Sequence, residues 1–325
     1  LNQGLRGCSY GEQSNGSENR CQTNRVTDTD YIVSYQARPA KGWQFSRWEG
    51  TPCSSHPKPD ICEFTVAREF VLWTVENAPD FTFPATVAVF EPGTGSEPTP
   101  PYQGTVFLDP DIVTEQDPTA YTGMTYLGRG NRLMFDRRVN DWVKNNAYLF
   151  RASYADGSSI EVQVNPEFGS EGTAREQADR YAWYVGQLPA TLRTDVWSLW
   201  VHRGNHPFGG GNNNLLIHTD QGDDYLSQGT LEEVLIHEAS HTSLDAEHAT
   251  SEGWLQAQRQ DGNFISSYAR EFPSREDVAE SFLPYFAVRY RADRISERMR
   301  ETILRTIPNR VSYFDGIEFD AYPAN

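Results

Sequence analysis

Apolar and polar positions alternate along much of the first quarter of the chain. Residues 31–35 read YIVSY, residues 42–48 read GWQFSRW, and residues 63–75 are rich in Phe, Val, Thr and Trp. Runs of this kind, separated by turn residues, predict strands and hence a small, mostly β domain over residues 1–90. Residues 91–101, EPGTGSEPTPP, hold four prolines and two glycines. Such a run is expected to carry neither helix nor ladder, which predicts a linker over residues 91–103. Beyond it the pattern becomes mixed. Residues 147–154 and 159–164 alternate around Ala155-Asp156-Gly157, whose Asp-Gly step favours a hairpin turn. Residues 173–188 space Ala174, Ala178, Tyr181 and Val185 at helical intervals. Residues 195–202 (DVWSLWVH) and 214–219 (NLLIHT) read as strands, and residues 209–214 (GGGNNN) as a flexible loop at a cleft rim. Two further helices follow. The expected fold class of residues 104–325 is α+β with one modest mixed sheet.

Charge and cysteine usage narrow the setting. With 28 Lys+Arg against 45 Asp+Glu the net charge is −17 and the pI about 4.8. No basic cluster offsets this, which argues against a nucleic-acid partner. No run approaches the roughly 18 apolar residues of a membrane span. The chain opens at Leu1 without a positive n-region or an apolar h-region, so any signal peptide is expected to have been removed. Cys8, Cys21, Cys53 and Cys62 all lie in the first fifth of the chain, the distribution of two disulfides in a small module. Three connectivities exist; Cys8–Cys21 with Cys53–Cys62 is favoured because each pair staples a local loop. An extracellular, cell-surface or periplasmic setting follows. Cysteine is absent after residue 62, which removes thiolate zinc sites and thiol nucleophiles from the α+β part.

The candidate chemistry sits at residues 230–248, TLEEVLIHEASHTSLDAEH. Thr230 and Glu233 make a capping-box pattern, predicting a helix from Leu231. His237 and His241 then lie one turn apart on one face, where two imidazoles can grip one metal. Glu238 lies about 100° round the helix from His237, close enough to act as general base on a metal-activated water. A tetrahedral catalytic zinc needs a third protein ligand. Leu244 and Glu247 stand where the metzincin pattern has Gly and His, which disfavours that subclass. A second helix is announced at residues 273–282, where Ser274 and Asp277 form a cap-like pair and Glu276 and Glu280 share a face. Glu276 in a first helical turn suits a ligand and Glu280 an acceptor for a ligating imidazole. Asp245 competes as ligand or as acceptor for His241, with Glu247 and Glu280 the other candidates for the third position.

The series His237-Glu238-Ala239-Ser240-His241, Ser267-Tyr268-Ala269-Arg270 and Glu276-Asp277-Val278-Ala279-Glu280-Ser281-Phe282 resembles the catalytic domain of gluzincins of the anthrax lethal factor type. The resemblance covers about residues 230–290, and the Tyr-to-Glu spacing is one residue longer than the family's. It implies a zincin-like domain with one zinc ion per chain, His237, His241 and Glu276 as ligands, Glu238 as base and Tyr268 as a phenol supporting the transition state. Residues 31–75 resemble the divergent internalin-B-type repeat of bacterial surface and secreted proteins, implying a spacer or attachment module. In zincins an edge strand before the motif helix aligns substrate, which points to the strand with Leu216 and His218. The expected function is a secreted zinc-dependent endopeptidase with a protein or peptide substrate. The alternatives are a non-catalytic surface protein on the same scaffold and a zinc hydrolase of a non-peptide substrate.

Overall fold

The structure, a computed structural model, describes residues 30–37, 43–55, 61–77, 86–92, 98–108 and 112–324. The chain divides into two compact units, Leu1–Glu97 and Pro98–Asn325.

The described residues of the first unit hold four strands, β1 (Tyr31–Gln36), β2 (Trp43–Glu49), β3 (Ile61–Val66) and β4 (Val87–Pro92), and a helix, α1 (Arg68–Asn77). β1 pairs antiparallel with β3, and β2 with β4. The Cys53–Cys62 disulfide is present, with both cysteines buried. Cys8 and Cys21 lie outside the described residues. Residues 63–75 do not form one strand-like run: the strand ends at Val66 and α1 begins at Arg68. The Asp30 carboxylate accepts the Arg68 N–H at 2.8 Å, capping the helix from 38 residues away. The expected linker is also shortened, since Glu91 and Pro92 belong to β4, opposite Gln44 and Trp43. In a two-stranded sheet every strand is an edge, so a terminal proline removes no needed donor.

The second unit holds β5 (Tyr121–Asp136), β6 (Asp141–Tyr154), β7 (Ser159–Val164), α2 (Glu171–Val185), α3 (Ala190–Arg193), β8 (Ser198–His202), β9 (Gly209–Gly211) and β10 (Asn214–His218). Helices α4 (Thr219–Ser227), α5 (Leu231–Ser243), α6 (Asp245–His248), α7 (Glu252–Asp261), α8 (Ser267–Glu271), α9 (Asp277–Tyr290), α10 (Glu297–Thr306) and α11 (Pro308–Asp315) complete it. The architecture is α+β. One mixed sheet runs in the order β5-β6-β7-β8-β10-β9, with β7, β8 and β10 mutually parallel and the other pairings antiparallel. The Asp-Gly turn forms as its sequence requires: Gly157 takes a φ of 85° and donates to the Tyr154 carbonyl. Ser170 caps α2, whose Ala174, Ala178, Tyr181 and Val185 are buried in the core.

Three features escape the hydrophobic pattern. β5 carries three glycines among polar residues, and its 16 residues are held by pairing with β6 across two bulges. Residues 209–214 are not a flexible loop. Gly209–Gly211 is the edge strand β9, joined to β10 by a tight turn in which Asn212 and Asn213 both have positive φ. α5 starts at Leu231 as predicted, yet without a capping box. The Thr230 hydroxyl donates to the Tyr225 carbonyl, and buried Glu233 accepts the Ile112 N–H at 2.9 Å.

Candidate metal centre

α5 is buried through most of its circumference, packed between β9 and β10, α3 and α9. Leu231, Val234, Leu235, Ile236 and Ala239 anchor it in the core. That anchoring presents His237 and His241, stacked edge to face with ring centroids 4.7 Å apart, to the start of α9. Glu276 stands one residue before α9, with its N–H donated to the Phe272 carbonyl. The helix therefore begins two positions later than the Ser274–Asp277 pair predicts. Asp277 is drawn instead into a buried ion pair with Arg310.

The three side chains converge. His241 Nε2 lies 3.1 Å from Glu276 Oε2 and 3.1 Å from His237 Nε2, and His237 Nε2 lies 3.5 Å from the same carboxylate oxygen. Two donors bonded to one tetrahedral zinc at its usual bond lengths stand about 3.3 Å apart, so the set fits a shared ion. Among the described residues, His237, His241 and Glu276 form the one His/Cys/Asp/Glu group with mutually close ligand atoms. The buried cluster is consistent with a zincin-type metal-binding active site and supports a zinc-binding enzyme in general.

The surrounding carboxylates face the outer ring nitrogens. Asp245 Oδ2 lies 2.6 Å from His241 Nδ1, and Glu280 Oε1 lies 3.5 Å from His237 Nδ1. Glu280 Oε2 accepts from the Val106 N–H and the Ser266 hydroxyl, which fixes it deep in the core. Asp245 and Glu280 thus stand behind the imidazoles, outside the three-donor group. Burial opposes charge on His241, but hydrogen bonds to Asp245 and Glu276 outweigh it and push the imidazole up to about 10. Burial likewise opposes charge on Glu276, and hydrogen bonds with His237 and His241 hold its carboxyl well below the usual range. Burial raises both Asp245 and Glu280. A site this rich in anionic oxygen attracts cations, and a dication satisfies more of it than protons do.

Glu238 is half-buried, on the next position of α5, and its charge contributes to raising His241. The Tyr268 phenol on α8 donates to Glu276 Oε1 at 3.1 Å. Burial and the Glu276 charge raise its pKa, which keeps it protonated. One contact was invisible in the residue pattern. Arg275 Nε donates to Glu276 Oε1 at 2.7 Å and Nη2 to the Tyr268 oxygen at 3.4 Å, leaving Oε2 to face the histidines. Only a basic residue beside the ligand glutamate could have hinted at it.

Leu216 and His218 are not on an edge. β10 is interior, paired with β8 and β9, and His218 is buried with Nδ1 at 2.9 Å from the Arg203 carbonyl. The edge beside the cluster is β9, whose glycine-only sequence carries no strand-like pattern. It is bolted to α5. The Thr242 hydroxyl accepts the Gly211 N–H at 2.8 Å and lies 3.0 Å from the carbonyls of both Asn214 and Glu238. At Gly210 the approach is closer still, since a Cβ there would lie 1.9 Å from the Glu238 carbonyl oxygen.

The chain matches no protein-family model, no curated protein and no solved structure. Among the described residues no helix is long and apolar enough to cross a membrane. The Cys53–Cys62 disulfide is consistent with an extracellular environment.

Proposed function

We propose that the protein is a secreted zinc-dependent endopeptidase of the gluzincin kind. The observation that carries this reading is the convergence of His237, His241 and Glu276 with Glu238 one residue beyond the first histidine. His237, His241 and Glu276 would hold a zinc ion, and as a Lewis acid it would lower the pKa of a water and polarise a carbonyl. Glu238 takes the water's proton and delivers it to the leaving amine. Asp245 holds the outer nitrogen of His241, which fixes that ring with Nε2 turned inward, and Glu280 Oε1 faces the outer nitrogen of His237 at 3.5 Å. Arg275 holds the second oxygen of Glu276. Tyr268, kept protonated, is the donor assigned to the oxyanion, and serves it by releasing Glu276 Oε1. The first unit, Leu1–Glu97, is assigned as a spacer or attachment module joined to the peptidase unit, Pro98–Asn325.

Elemental analysis of the purified protein beside Glu276→Ala tests the metal, with about one zinc per chain expected in the parent and its loss in the variant. Digestion of a peptide mixture tests the reaction. Cleavage by the zinc-loaded parent, abolished in Glu238→Gln with zinc retained, is the expected result. Zinc binding with no cleavage of any peptide would remove the peptidase assignment.

A further inference from the structure

β9 ends the sheet, and among the described residues no strand pairs with its outer edge. The two faces of this short strand meet different groups. Gly210 faces α5, where it touches the Glu238 main chain. Gly209 faces the opposite side, where a Cβ would lie 2.9 Å from Arg137 Nη2 and 3.5 Å from the Leu216 Cβ. Arg137 directly follows β5 in the turn before β6 and is exposed. Its guanidinium donates to the Phe208 carbonyl at 2.9 Å, which parks it over the start of β9. Among the described residues it has no carboxylate partner. The adjacent Asp136 is held by Arg138 at 2.7 Å, and Glu167 by the same Arg138 at 2.6 Å.

We infer that Arg137 is a specificity determinant that binds the carboxylate side chain of a peptide strand laid along β9. The inference rests on the endopeptidase reading. Side chains of a paired strand alternate between the two faces of a sheet. A residue directed toward α5 and Glu238 therefore has neighbours directed to the face where Arg137 waits, and an acidic side chain is selected at one of those neighbouring positions. The glycines of β9 keep this face clear, since they bring no side chain between guanidinium and substrate. A guanidinium engaged through one N–H retains donors for a carboxylate, in the fork geometry that Arg offers and Lys does not. The net charge of −17 opposes acidic substrates only weakly, because charges beyond about 8 Å are screened at physiological salt.

The test uses the full zinc-loaded chain and a synthetic peptide mixture randomised at every position, with cleaved products sequenced by mass spectrometry. For the parent, Asp and Glu should be enriched at one position flanking the cut, by about fivefold over Gln, the size of a solvent-exposed ion pair. Arg137→Gln should abolish the enrichment, and Arg137→Glu should transfer it to Lys and Arg at that same position. A parent that cleaves peptides without acidic preference, or an Arg137→Glu variant that keeps it, overturns the inference and leaves the peptidase standing. A zinc-loaded parent that cleaves no peptide overturns both.

Discussion

Arg310 offers a demanding test of how the site is supported. Its side chain is fully buried on α11, with Nε donating to Asp277 Oδ2 at 2.9 Å and Nη1 to Asp261 Oδ2 at 3.1 Å and the Asn263 carbonyl at 2.9 Å. One guanidinium thereby ties the end of α7 and the start of α9 to α11, and its partner Asp277 is the neighbour of Glu276. In Arg310→Met the volume is largely kept while two buried carboxylates lose their cation. Breaking such a pair from one side costs about 3–5 kcal/mol. Burial already raises the Asp277 pKa, with Arg310 and Gln258 opposing the rise. Without Arg310 the carboxyl should rise further and take up a proton, so the deficit should shrink as pH falls from 7 toward 5. Urea unfolding followed by tryptophan fluorescence suits the question, since the Trp254 ring lies 5.9 Å from the guanidinium. Adding Asp277→Asn and Asp261→Asn to Arg310→Met should recover much of the loss, because the uncompensated charges are then gone. A loss below about 1 kcal/mol in the single variant, or one independent of pH, would refute the account.

Further outcomes follow from other contacts. His202 is wholly buried and accepts from Asn165 Nδ2 through Nδ1, and burial lowers its pKa to about 4. The unfolded state therefore binds the extra proton between about pH 6.5 and 4, so stability should be full above that window and fall by up to about 3 kcal/mol through it. Unfolding midpoints for parent and His202→Gln across that range should show a flatter dependence in the variant. Gly210→Ala should push β9 off α5, costing about 1–3 kcal/mol by overpacking and cutting peptide cleavage more than zinc content. Gly172, inside α2 with no close neighbour but Ser170 Oγ at 3.9 Å, should accept Ala with a gain of about 0.5 kcal/mol in thermal unfolding. Removing the metal with a chelator should lower the unfolding free energy of the parent, by about 2.7 kcal/mol for a site previously held at a hundred times its Kd, and leave that of Glu276→Ala nearly unmoved.

The chain's own pattern determined whatever is governed by neighbours in sequence. The spacing of His237 and His241 puts two imidazoles on one helix face wherever that helix goes. The buried stripe of α2 and the Asp-Gly hairpin are local in the same sense, and the structure shows both. Glu276 and Glu280 could be proposed as partners of the histidines because a short helix start fixes which carboxylates share a face. Tertiary structure decided the rest. The cap of α1 comes from Asp30, Glu233 accepts the N–H of Ile112, and Asp277 pairs with Arg310. For Glu233 and Asp277 a buried carboxylate takes a distant buried partner, because an unpaired polar group in the core costs more than an unmade surface cap. Strand order is nonlocal too. NLLIHT reads as a strand, but only the sheet shows that it is interior and that three glycines without any hydrophobic signal form the edge beside the metal centre. Backbone pairing holds those glycines in place, and backbone pairing leaves no mark in side-chain composition.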